Sequence, residues 1–200
     1  MEGMTGCGSS AFGLHHDCTR GSTTVSDRPI APNAFVLGFL SVVQDPGGYF
    51  GGYLVTNAWG RPLEFRMTTA VQPNRVQQIL YGATLNEYIF ADLIGKTLID
   101  KATAQPSLII ADHPSMLPLR SRMDVPVIAL PGDTPGDALT ITHARSSSPL
   151  LFSASFAHDR ATIEDLLNQI DPSVDLTEPF SRIREAVAEA RKLGVANRAA

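Results

Sequence analysis

The polar and apolar positions of this 200-residue chain fall into three patterns: apolar runs, one stretch of strict alternation, and helical stripes. FVLGFLSVV (35–43) is apolar on both alternating faces, as in a strand covered on both sides. DPGGYFGG (45–52) reads as a flexible turn and YLVTN (53–57) as the next strand. In PLEFRMTTAV (62–71), Leu63, Phe65 and Met67 alternate with Glu64, Arg66 and Thr68. That period of two predicts a strand with the first set toward the core and the second toward water. Residues 53–57 and 62–71 then form an antiparallel hairpin. Asn57 and Gly60 suit its turn, and Pro62 takes the first strand position, where a missing N–H does least harm.

Helical spacing follows. Asn74-x-x-Gln77 opens a short helix with Val76, Ile79 and Leu80 on one side, interrupted at Gly82. Thr84-x-x-Glu87 has the form of a capping box. The helix it predicts carries Leu85, Tyr88, Ile89, Leu93, Thr97 and Leu98 on one stripe. SLIIAD (107–112) and DVPVIAL (124–130) read as buried strands with a helical turn at 115–122 between them, and a connection of that length allows a parallel crossover. ALTITHA (138–144) and LLFSASF (150–156) are two more strands. A helix capped by Asp159 and another starting near Asp175-x-x-Glu178 complete the chain, with Gly194 as the stop of the second. The expected fold is α/β (or α+β): a mixed sheet of about six strands, an N-terminal antiparallel hairpin, central helices and two C-terminal helices.

Residues 1–32 lack periodic apolar positions and are rich in Gly, Ser and Thr, so they read as a flexible tail ahead of a single domain over 33–200. Hydrophobic residues make up 44% and charged residues 18%, enough for a sizeable core. The net charge of −4, with both signs interspersed, gives no electrostatic indication of nucleic-acid binding. Two cysteines, Cys7 and Cys18, exclude a disulfide-stapled domain and suit a reducing cytosol. There is no run of signal-peptide type, and no apolar stretch of membrane-spanning length.

Four features bear on chemistry. HHDC (15–18) with Cys7 supplies metal-ligating atoms, but at spacings unlike those of structural zinc sites, so no metal is expected there. GGYFGG (47–52) joins two predicted strands and lacks the helix N-terminus that a phosphate-cradling loop requires, so no cofactor is expected. ADHPS (111–115) puts Asp112 and His113 at the carboxyl end of a buried strand, where open α/β sheets place ligands. Asp112 there could serve proton transfer, or simply cap the turn that follows. Trp59, Arg61 and Arg66 in NAWGRPLEFR (57–66) are residue types enriched at binding hot spots.

The order of elements resembles that of ribonuclease-H-like folds: three early strands, a helical stretch, a strand ending in Asp112, a short crossover and another strand. That resemblance implies carboxylates on neighbouring strands holding two divalent ions, with Asp112 at one such position. FVLGFLSVV has no carboxylate, since Asp45 follows its end, and Glu64 falls on the predicted wet face. Without a complete catalytic set, the sequence favours a non-enzymatic, cytosolic accessory protein that binds a protein partner through the 57–66 loop. The alternative is a metal-dependent hydrolase or nuclease, with a degenerate ribonuclease-H-like fold, using Asp112 and His113.

Overall fold

The computed structural model describes residues 35–133 and 137–194. The tail expected over 1–32, with Cys7 and HHDC, lies outside the described residues. The architecture is mixed α/β, built on a seven-stranded sheet in the order β3-β2-β1-β4-β5-β7-β6. Its strands are β1 (Val36–Asp45), β2 (Gly48–Asn57), β3 (Pro62–Met67), β4 (Leu108–Ala111), β5 (Val127–Ala129), β6 (Ala138–Ile141) and β7 (Leu150–Ser153). The first three strands form an antiparallel meander, β1, β4 and β5 run parallel, and β7 and β6 return antiparallel.

Each face of the sheet carries its own core. On one face, Leu40, Tyr53, Val55, Ile109 and Ala111 meet Ile89, Ile94 and Leu98. These last belong to a helical run made of α2 (Leu85–Glu87), a π-helix (Tyr88–Gly95) and α3 (Lys96–Asp100). On the other face, Leu37, Phe39, Leu54, Ile110 and Phe152 meet α4 (Asp159–Asn168) and α5 (Glu178–Lys192) through Ile163, Leu167, Phe180, Ile183 and Val187. Burial of β1 on both sides explains why FVLGFLSVV is apolar throughout.

The expected turn at 45–52 is mostly strand. Only residues 46 and 47 separate β1 from β2, and Gly51 and Gly52 lie within β2 because the helices on either face press against it. A Cβ on Gly51 would sit 2.1 Å from Ile94 Cγ2, and one on Gly52 would sit 2.3 Å from Ile183 Cγ2. The glycines are a packing requirement here rather than a sign of a loop.

In 62–67, Leu63 and Met67 are half-buried against the cores as the alternation predicts, but Phe65 and Glu64 depart from it. β3 is the edge strand, so Phe65 is 38% exposed. Glu64, expected in water, turns inward and accepts hydrogen bonds from the Thr103 N–H (2.9 Å) and the Ala104 N–H (3.1 Å). Burial alone would push its carboxyl up, but these donors and the Arg66 guanidinium outweigh it and hold the carboxyl below its ordinary value.

Two expected caps are replaced by other contacts. Thr84 makes no cap, its hydroxyl donating instead to the Tyr81 carbonyl. Asp159 is bound to Arg120 at 2.6 Å rather than capping α4. The Asn74–Gln77 capping box does form, at the start of α1 (Arg75–Tyr81). Phe90, Ala91 and Ile94 are buried although they fall off the expected stripe. The π-helical stretch accounts for this, because its wider turn rotates the face away from 3.6-residue spacing. Among the described residues, no helix is long and apolar enough to cross a membrane.

Candidate functional site at the ends of strands β1 and β4

Parallel pairing sets Leu40 of β1 opposite Ala111 of β4, so Ser41 and Asp112 are the next neighbours along the two strands. Both side chains point to the face covered by α5. The Ser41 hydroxyl, fully buried, donates to Asp112 Oδ2. Arg184 of α5 brings its guanidinium to 3.9 Å from the same carboxylate oxygen. Among the described residues, no hydrogen-bond partner reaches the buried Asp112 Oδ1. Burial raises the Asp112 carboxyl from its ordinary 3.8 to about 6, against the opposing pull of the Ser41 hydroxyl, the Val42 amide and the Arg184 charge. The backbone N–H groups of Val42 and Asp112 itself lie on the side of the carboxylate and pull in the lowering direction, without bringing a full hydrogen bond to Oδ1.

Asp112 and His113 are adjacent in sequence, but their side chains do not meet. Extended backbone at His113 (φ −140°, ψ 136°) sends the two side chains to opposite faces. The imidazole packs edge-on against Phe90, and Nδ1 accepts the Ser115 N–H at 3.1 Å. His113, rather than Asp112, is therefore the cap of the 3-10 helix Pro114–Arg122. Burial holds its pKa below the ordinary value, which favours the neutral ring.

The ion pair implied by the resemblance needs a carboxylate set that these residues do not supply. The β1 position facing Asp112 is Ser41. Glu64 turns to the other face, toward Thr103 and Ala104. Asp45, four residues beyond Ser41, is occupied by Arg191 and the Gly47 N–H. Among the described residues, no three His, Cys, Asp or Glu side chains gather into a group that could hold a metal ion. The orphaned Asp112 Oδ1 is one available ligand atom, which is too few for two divalent ions.

The 57–61 loop lies at the other end of β1, where Asn57 pairs with Val36, roughly 16 Å of strand away from Ser41. Trp59 is 66% exposed. The backbone around it is tied internally: Asn57 Oδ1 accepts from the Trp59 N–H (3.0 Å) and the Arg61 N–H (3.1 Å). Gly60, at φ 70°, gives its carbonyl to Arg182 at 3.1 Å. Of the three expected binding residues, Trp59 and Arg61 are thus exposed in the loop, and Arg66 is held by Glu64 farther along β3. Sequence reasoning missed Ser41 and Arg184. An apolar run with a single buried serine was the available signal for the first; nothing local marks the second.

No protein-family model and no curated protein matches the sequence. Among solved structures, the chain is similar to endonuclease V from Streptomyces avermitilis, at 16% identity over 84% of this chain and 87% of that one, with a TM-score of 0.49. It is also similar to endonuclease V from Bacillus subtilis, at 11% identity over 82% of this chain and 83% of that one, with a TM-score of 0.45. The likeness is one of fold. Both structures are described as endonuclease V, in contrast to the expected non-enzymatic protein that binds through the 57–66 loop, and that expectation is corrected. The pairing of Arg66 with Glu64 and the loop's internal hydrogen bonds are the physical side of that correction.

Proposed function

We propose that this chain hydrolyses phosphodiester bonds, as a nuclease-type enzyme, at the site formed where β1 and β4 end. The observation that carries the reading is Asp112. It is a carboxylate whose side chain is only 15% exposed, with one oxygen unpartnered and a pKa of about 6, at the carboxyl end of the central parallel pair. A carboxyl titrating there is ionised at neutral pH and still basic enough to accept a proton from water. In the step it would assist, the water oxygen bonds to phosphorus and its proton passes to Asp112. The phosphorus–oxygen bond to the leaving nucleotide breaks, and the departing alkoxide takes a proton from solvent.

The test is cleavage of single- and double-stranded DNA and RNA by the full chain, with Mg2+, Mn2+ or EDTA, beside Asp112→Asn. Cleavage that the substitution lowers by about 100-fold or more supports the reading, since general-base assistance is typically of that size. Equal cleavage by both proteins, or none under any condition, defeats it.

A further inference from the structure

Resting on the hydrolytic reading of the same site, we propose that the Arg184 guanidinium, and not a divalent ion, supplies the positive charge beside Asp112 and receives the phosphate. Three observations converge on it. Ser41 occupies the β1 position next to Asp112, and a neutral hydroxyl that donates to the carboxylate uses up one of the oxygens an ion would need. Arg184 stands 3.9 Å from that same oxygen, so a cation is already present where an ion would have to enter. No other metal-ligating group completes a shell among the described residues.

Arg184 is also placed to work outward. Its side chain is 50% exposed, and among the described residues its remaining polar contact is a long hydrogen bond donated to Ser181 Oγ at 3.4 Å. The neighbouring arginines of α5 are committed elsewhere: Arg182 to Glu178 and the Gly60 carbonyl, Arg191 to Asp45 and the face of Phe50. A planar guanidinium with donors to spare matches the oxygens of a phosphodiester, which it can hold with two parallel hydrogen bonds. Attracted by both Asp112 and the phosphate, it would bring the phosphorus toward the carboxylate that accepts the water proton. The substrate class is thus a nucleic-acid phosphodiester, held by charge–charge contact at one phosphate.

The experiment has two binding arms that do not depend on turnover. The first titrates Mn2+ into the full-length wild type, Asp112→Asn and Ser41→Asp, following free Mn2+ by its paramagnetic resonance signal. The wild type should show no site that Asp112→Asn removes, and Ser41→Asp should gain one by creating a carboxylate pair. The second measures binding of a ten-nucleotide phosphorothioate strand in EDTA to the wild type, Arg184→Gln and Arg184→Ala. Both variants should weaken binding by tenfold or more, with circular dichroism showing the fold retained.

A wild-type Mn2+ site lost in Asp112→Asn overturns the proposal while leaving nuclease activity possible. So does oligonucleotide binding that is unchanged in both Arg184 variants. Absence of cleavage under every condition defeats the hydrolytic reading by itself, and the two binding results still decide between guanidinium and metal.

Discussion

The hairpin loop at 57–61 and the strand ends at Ser41 and Asp112 lie at opposite ends of β1, and they treat their polar groups in opposite ways. In the loop, Asn57 satisfies two backbone N–H groups, the Gly60 carbonyl is taken by Arg182, and the aromatic side chain stands in water. Beside the loop the Thr56 hydroxyl and Arg182 Nε are also buried without a partner, but neither is a group that is ionised by losing a proton at neutral pH. At the strand ends, a carboxylate is taken out of water and given one hydroxyl donor, and its second oxygen is left alone. An uncompensated buried polar atom destabilises the fold by about 1–3 kcal/mol, so it points to a role other than stability. Residue type alone drew attention to Trp59 and the arginines, whereas Asp112 bears the one carboxylate among the four buried side-chain atoms without a partner in the described residues.

The largest effect expected from this contrast is on turnover. Asp112→Asn should reduce phosphodiester cleavage by about 100-fold or more. Trp59→Ala, at the other end of β1, should leave kcat/KM within a factor of about two. Rates measured on the same oligonucleotide provide the comparison. A loss at Trp59 equal to that at Asp112 would erase the distinction between the two regions.

A pH series sharpens the comparison further. The folded-state pKa of Asp112 is raised to about 6, above its ordinary 3.8, so the fold favours the protonated form. Below the ordinary value both folded and unfolded chains hold the proton. As pH rises from there, the unfolded chain releases it first and stability falls, and the loss is complete above the folded value. Wild type should therefore lose on the order of 2–3 kcal/mol between pH 4 and pH 7 relative to Asp112→Asn. Urea unfolding of both proteins at each pH measures the difference and cancels the contribution of all other carboxylates. Parallel pH profiles would mean that Asp112 is not held in the environment described.

The sheet was largely legible in the sequence because burial on two faces writes continuous apolar runs, and because caps such as Asn74–Gln77 act locally. The β2 glycines were not, because a glycine demanded by helices on both faces looks the same in sequence as one demanded by a turn. Edge position also escaped detection. Alternation reports which residues share a face, but not whether anything covers that face, so Phe65 and Glu64 exchanged their expected environments. Asp112 was visible from its strand-end position. Ser41 and Arg184 meet it only through strand pairing and the packing of α5, interactions spanning about 70 residues of sequence, which no local pattern encodes.

That exchange gives a smaller effect to measure. Glu64→Ala removes the acceptor of two backbone N–H groups and the partner of Arg66, and should destabilise by about 1–3 kcal/mol. Phe65→Ala, at the open edge, should cost under about 1.5 kcal/mol, well below the loss from truncating a fully buried Phe. Chemical denaturation of the two variants decides the order. If Phe65 proves the costlier, β3 is covered in solution by something that restores its inward face.

The smallest effect belongs to Trp59. At 66% exposure its indole contributes little to either core, so Trp59→Ala should change unfolding free energy by no more than about 0.5 kcal/mol. It is the single tryptophan of the chain, which gives fluorescence one source and makes the wild type sufficient for the measurement. Emission should be red-shifted and readily quenched by acrylamide, because water and quencher reach the ring directly. The ring is held outward by the loop's own hydrogen bonds: Asn57 Oδ1 fixes the Trp59 amide, and Gly60 at positive φ turns the chain back immediately afterwards. Asn57→Ala should therefore broaden the emission while leaving its red shift in place, since it loosens the turn without offering the indole anywhere to go. A blue-shifted, protected emission in the wild type would show the loop to be covered, and its hydrogen bonds would then serve to present a buried surface rather than to close a hairpin.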